Sequence, residues 1–126
     1  MIGFPGETWN EIRDSLRIAE SLDLIDIHIA TVLPKTELLE LAQKEHAIPE
    51  DFSFFNDDVN FGFETGNITT DEFTPAELEV LRAYEWDRIN FSTPEKRARA
   101  CRILNISEEE LEEYRKQTRR HCGKFF

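Results

Sequence analysis

The residues with the most suggestive chemistry stand first in the chain: Met1-Ile2-Gly3-Phe4-Pro5-Gly6-Glu7-Thr8. A short apolar run ends in a Pro-Gly break, and a helix start follows at once. Such a turn presents backbone amides to a ligand, and Gly3 and Gly6 let a flat molecule approach the backbone closely. Glu7 can accept hydrogen bonds from amino or hydroxyl groups. A plainer reading uses the same residues: a strand-to-helix turn in which Gly6 supplies an unusual φ and Glu7 favours the helix dipole.

Other chemistry is sparse. Cys101 and Cys122 are the only cysteines, 21 positions apart and without a C-x-x-C unit, so neither zinc nor cluster spacing is present. Cys101 lies among Ala98, Ala100 and Ile103 and reads as a core thiol. His121 and Cys122 are adjacent near the end and read as exposed residues rather than metal ligands. His28, His46 and His121 build no Ser/His/Asp or Cys/His arrangement.

The elements that would position the first turn are legible from periodicity. Thr8 and Glu11 have capping-box spacing, and Trp9, Ile12, Leu16 and Ala19 repeat at helical steps, predicting a helix from Trp9 to Leu22. Residues Ile25-Asp26-Ile27-His28-Ile29 alternate apolar and polar, predicting a strand that continues to Leu33. With Met1–Phe4 as an earlier strand, this is a βαβ unit, and its strands should be parallel. Thr36 opens a second helix, Glu37 to about Glu45. Residues 50–72 read as an ordered loop, with Phe52, Phe54, Phe55, Phe61 and Phe63 among acidic residues and pinning it to the core. Three helices follow, near 75–90, 94–104 and 108–122. Their starts are marked by Thr74-Pro75 with Glu77, by Ser92 and Glu95 around Pro94, and by Ser107 with Glu110. Ile106 and Leu111 have staple positions, and Gly123 is a candidate C-terminal cap.

The fold class expected is therefore α/β: a βαβ unit cut from a partial (β/α) barrel, followed by a mostly helical C-terminal region. The expected divisions are 1–48, the aromatic and acidic loop 49–73, and the helical extension 74–126. Two parallel strands alone leave open edges, so the chain reads as part of something larger. Edge pairing in a homodimer, or the 50–72 loop folded over Ile25, Ile27 and Ile29, would supply the missing cover.

Composition narrows the function classes. The chain has 126 residues, 40% of them hydrophobic and 10 of them Phe, enough for one modest core. Net charge is −11, but residues 1–80 carry −14 and residues 81–126 carry +3. An acidic body disfavours a nucleic-acid backbone. The basic stretches Lys96 to Arg102 and Arg115 to Lys124 read as solvated helix faces rather than a phosphate-binding patch. No apolar run reaches the roughly 20 residues of a membrane span, and no secretory signal is visible. A cytoplasmic location is the expectation.

One resemblance links these features. Met1 to Thr8, followed by Trp9-Asn10-Glu11-Ile12, resembles the late-barrel segment of radical SAM proteins, in particular the iron–sulfur oxidoreductases that include cobalamin-binding members. In that family an apolar strand ends in Gly-x-Pro-Gly-Glu and an amphipathic helix follows. The next strand ends in a motif like Pro-x-Pro-Gly-Thr-x-Leu. Here that segment is Val32-Leu33-Pro34-Lys35-Thr36-Glu37-Leu38: Pro34, Thr36 and Leu38 match, while Val32 and Lys35 stand in place of Pro and Gly. The likeness covers residues 1–45, with a fainter one at Phe73 to Leu78.

The resemblance implies a parent enzyme that holds a [4Fe–4S] cluster and S-adenosylmethionine and cleaves the latter to begin radical chemistry. Ile2, Gly3, Pro5, Gly6 and Glu7 would lie near the adenosyl end of that cofactor. The cluster's Cys-x-x-x-Cys-x-x-Cys is not in this sequence and would belong to earlier strands. This chain alone is thus expected to carry no cofactor, no metal, no catalytic residue and no activity. Its expected partner is the upstream barrel half of the same protein. The competing reading is a helical protein-interaction or regulatory domain, with a helix-turn-helix at 94–122 as its sharpest form.

Overall fold

The computed structural model describes residues 1–22, 26–55 and 64–122, with the side chains of residues 121 and 122 left aside. Five helices carry the described fold: α1 (Trp9–Glu20), α2 (Glu37–Lys44), α3 (Pro75–Phe91), α4 (Pro94–Leu104) and α5 (Glu108–Cys122). Among the described residues there is no strand and no sheet, which overturns the α/β expectation and its βαβ unit. The observed class is all-helical.

Local chemistry explains why the first apolar run is not a strand. Gly3 has φ +91°, which breaks an extended path. The N–H groups of Gly3 and Phe4 both donate to Glu7 Oε2, at 2.6 and 3.1 Å, so they are not offered to a neighbouring strand. The second apolar run fares no better. Val32 N–H donates to the side chain of Asn67 at 3.1 Å rather than to a backbone partner. What survives is one isolated parallel bridge between Ile2 and Ile29. Ile2 N–H donates to His28 O at 2.9 Å, and Ala30 N–H donates to Ile2 O at 2.7 Å. Of the expected strand, Ile25 lies outside the described residues.

Helix starts follow the cap chemistry. Thr8 and Glu11 exchange backbone and side-chain bonds, as do Thr74 and Glu77. Ser107 and Glu110 do the same at 2.7 and 3.1 Å. Each pair satisfies two amide donors that a helix N-terminus leaves unpaired. One cap differs from expectation: α4 is capped by Thr93, whose Oγ1 accepts from Lys96 N–H at 3.2 Å, not by Ser92 with Glu95. Ser92 instead closes α3. Asn105 ends α4 in the left-handed region, φ +54°, a conformation Asn tolerates better than most residues. Gly123 lies outside the described residues.

Two apolar clusters result. The larger gathers Ile2, Ile12, Leu16, Ile27, Ile29, Val32, Ile48, Ile68, Phe73, Leu78 and Ile89 with smaller buried neighbours. The smaller has three buried members, Phe91, Ala100 and Leu111, where α3, α4 and α5 meet. Trp86 packs against both.

The loop expected to be pinned by its phenylalanines divides. Phe52 and Phe54 pack against the larger cluster and meet each other edge to face at 5.0 Å, whereas Phe55 is 98% exposed. Phe61 and Phe63 lie outside the described residues. Ile68 and Phe73 supply the main apolar anchors beyond them.

Candidate functional site

Three segments converge beside the first turn. The first is Gly6–Glu7, at the entry to α1. The second is residues 45–49, where α2 ends. Here His46 takes φ +53° and Ala47 N–H donates to Ala42 O at 2.8 Å. The third is residues 69–72, docked on both others. Thr69 N–H donates to Ala47 O at 2.8 Å, and Trp9 Nε1–H donates to Glu72 O. Glu72 Oε2 also accepts from Trp9 N–H at 3.3 Å, so this carboxylate helps to cap α1. The Thr70 hydroxyl accepts from Glu72 and Phe73 N–H, both at 3.2 Å, and holds the segment in a tight turn.

Between them lies a cleft of about 690 Å³, lined by Gly6, Glu7, Glu45, His46, residues 47–49 and residues 69–72. Among the described residues its rim carries Glu7, Glu45, Asp71 and Glu72 and no Lys or Arg. Such a field opposes phosphate-bearing ligands.

The five residues singled out from the sequence do not stand together on this cleft. Gly6 and Glu7 line it. Ile2 is 2% exposed and belongs to the larger cluster. Gly3 makes its close approach to α3 and not to a ligand: a Cβ there would lie 2.6 Å from Leu78 Cδ1. Pro5 is buried and is not part of the lining. At Gly6 the two roles of glycine separate. Its φ of +85° calls for Gly, yet nothing lies within 4 Å of where a Cβ would stand. The space a ligand would use is therefore open. Glu7 has one oxygen committed to the turn through Gly3 and Phe4.

Sequence reasoning missed the walls at 45–49 and 69–72. His46 had no periodic partner to mark it, and Glu72 looked like one more acid in an acidic loop. The one available signal was Thr70-Asp71-Glu72-Phe73, a hydroxyl and acids set against an aromatic anchor.

A second polar cluster sits away from the cleft. Arg82 on α3 is 6% exposed. Its Nε donates to Ile27 O at 2.7 Å, and its Nη2 contacts Asp26 and Glu64, each at 3.3 Å. His28 bonds the other oxygen of Asp26 at 2.9 Å. Burial pushes the Asp26 carboxyl up. The His28 hydrogen bond and charge, the Arg82 charge and the Ile27 N–H outweigh that effect, so its pKa is lowered overall.

The residues present do not fit an iron–sulfur cluster, which takes several thiolates close together. Cys101 is half-buried on α4 and packs against the smaller cluster, and no thiol lines the cleft. Among the described residues, no three of His, Cys, Asp and Glu come together as a metal group. For S-adenosylmethionine the fit is partial: Gly6 and Glu7 offer one open edge, and the other three residues face the core. No helix among the described residues is long and apolar enough to cross a membrane. No protein-family model, no curated protein and no solved structure matches the chain.

Proposed function

We propose that this chain is the C-terminal portion of a radical SAM iron–sulfur enzyme, inactive alone, in which Gly6 and Glu7 border the adenosyl end of S-adenosylmethionine. The observation that carries the reading is backbone conformation at the two resembled motifs. Gly3 and Gly6 have φ of +91° and +85° in the first. Lys35 has φ +59° in the second, where the resembled motif has Gly. A non-Gly residue in that region costs about 1–2 kcal/mol. Lys35 therefore keeps a glycine-like turn at a position where its own side chain disfavours one.

The cofactor's sulfonium and the cluster would supply the radical chemistry, and both would be held mainly by the upstream part of the same protein. This chain's own contribution is a preformed turn. Glu7 Oε2 fixes the amides of Gly3 and Phe4, which leaves Gly6 facing open space at the cleft.

Sequencing the locus upstream of Met1 tests the proposal. A continuous reading frame carrying Cys-x-x-x-Cys-x-x-Cys supports it, and a frame without that motif sinks it. Calorimetry on the isolated chain should detect weak binding of S-adenosylmethionine or none. Micromolar affinity would mean that the chain forms a nearly complete site by itself.

A second reading, a helical interaction domain, is favoured by one feature. The outer face of α4 exposes Ile103 and Leu104 beside Arg99 and Arg102. A nucleic-acid role for 94–122 is opposed by the first turn of α5, where Glu108, Glu109 and Glu110 are all exposed.

A further inference from the structure

The seam between α3 and the α4–α5 hairpin is built unlike the rest of the molecule. In α4 the one buried side chain is Ala100, and in the described part of α5 it is Leu111. Beyond Leu111, α5 is attached by the Trp86–Tyr114 ring contact, by Arg115 over the Phe91 ring and by ion pairs. Asp87 on α3 is 14% exposed and accepts both oxygens' worth of bonds from Arg115, at 2.8 and 3.0 Å. Arg119 Nη1 lies 3.1 Å from the same carboxylate. Glu112 braces Arg115 at 3.0 Å.

Space remains on both flanks of this seam. A cavity of about 340 Å³ is lined by Arg97, Glu108, Leu111, Glu112 and Arg115. A smaller one of about 120 Å³ is lined by residues including Arg82, Trp86, Tyr114 and Thr118. The connection to α3 is only Ser92 and Thr93, both exposed. Lys96 Nζ and Arg97 Nη1 donate to Ile89 O and Phe91 O, the last carbonyls of α3. Those bonds tie the start of α4 to the end of α3.

We infer that α4–α5 is a detachable arm, clamped to α3 by the Asp87–Arg115–Arg119 ion pairs, whose release bares the aromatic seat of Trp86 and Phe91. Local opening free energy follows the apolar contact a unit makes with its surroundings, and the cluster holding this unit has fewer buried members than the larger one. Trp86 contacts Phe91 at 5.0 Å and Tyr114 at 5.7 Å, so undocking α5 uncovers one side of that stack. The side chains of Asp87, Arg115 and Arg119 are 14, 16 and 27% exposed, so salt screens the clamp in part.

Hydrogen exchange of the whole chain, read by mass spectrometry, tests the arm. In Asp87→Asn, amides of residues 97–122 should exchange roughly tenfold faster than in the parent, while those of α1 and the first half of α3 keep their rates. Raising NaCl to about 1 M, where the screening length is about 3 Å, should move the unsubstituted chain the same way. The salt series decides the question by itself if the Asp87→Asn chain does not fold. The inference is overturned if α5 and α3 amides accelerate together. It is equally overturned if 97–122 shows no acceleration in either experiment.

Discussion

The region built on α1, α2 and the first half of α3 and the region built on α4 and α5 begin their helices with the same devices. A threonine or serine caps each of these starts, and the reciprocal glutamate bond recurs at Thr8, Thr74 and Ser107. Beyond the caps the two diverge. The first region closes over a continuous apolar cluster that also draws in Ile48, Ile68 and Phe73 from irregular backbone. The second closes over the smaller set Phe91, Ala100 and Leu111, with the Trp86–Tyr114 ring pair and the ion pairs of Arg115 and Arg119 around it. Helix formation and helix docking are thus separate problems. Capping decides where a helix starts, and buried apolar area decides how firmly it is held.

The largest effect is expected from the centre of the first region. Phe73 is 1% exposed and meets Trp9 edge to face at 6.1 Å. Phe73→Ala should cost about 3–5 kcal/mol in denaturant unfolding. Its loss should loosen both α1 and the 69–72 wall of the cleft. A cost near that of a surface change would show that the cluster is not continuous there. Gly3→Ala should follow at about 3 kcal/mol. It combines an unfavourable φ with a side chain placed 2.6 Å from Leu78. Gly6→Ala, with the same sign of φ but open space, should cost about 1–2 kcal/mol. Equal costs at the two glycines would sink the assignment of Gly3 to packing.

In the second region Leu111→Ala should cost about 2 kcal/mol, at the low end for a buried leucine because its cluster has few buried members to lose contact with. Near-ultraviolet circular dichroism of the Trp86 stack should change while the cluster around Phe73 stays protected from exchange. A global loss of protection would mean that the two regions unfold as one.

The sequence made most of the helical framework legible. Helix spans of 75–90, 94–104 and 108–122 compare with Pro75–Phe91, Pro94–Leu104 and Glu108–Cys122. Cap residues act through bonds within a few positions, so their signature is local and survives any tertiary setting. Strand pairing is not local. The run from Ile27 to Val32 has buried residues at Ile27, Ile29, Ala30 and Val32, so a chain that looked alternating is enclosed on more than one side. Besides Ile2 and Arg82, its hydrogen-bond partners include Asn67 and Thr65, more than 30 positions away, and no short pattern announces them. Of the site, Gly6 and Glu7 were legible because a Pro-Gly break before a helix is a local feature. His46 and Glu72 were not, because only tertiary docking of 69–72 brings them near the turn.

Lys35→Gly probes that same local rule in the opposite direction. At φ +59° the change removes side-chain strain, with a smaller loss from the more flexible unfolded chain. A stabilisation of about 1 kcal/mol is expected. A destabilised Lys35→Gly chain would mean that the lysine side chain makes a contact worth more than the strain it causes.

The smallest effect contrasts two ionic contacts, Asp26–Arg82 in the first region and Asp87–Arg115 in the second. Asp26 is itself 59% exposed at the side chain, so its pairing in water contributes well under 1 kcal/mol. Its carboxyl pKa is lowered in the folded chain by His28, Arg82 and Ile27 N–H against the effect of burial. A lowered folded value means that the unfolded chain takes up the proton first as pH falls. The stabilisation is therefore complete above the ordinary aspartate value of about 3.9 and disappears as pH drops through the folded value. Asp26→Asn should be slightly less stable at pH about 6. The gap should close as pH falls through the folded value, where the parent's Asp26 takes up its proton too. Thermal unfolding of both chains across that range measures the difference. A gap that stays constant with pH would locate the effect of Asp26 in its shape, through the bond to Ile27 N–H, and not in its charge. Asp87→Asn supplies the contrast: two arginines face that carboxylate at a less exposed seam, so its loss should exceed that of Asp26→Asn at neutral pH and should fall on α4–α5 alone.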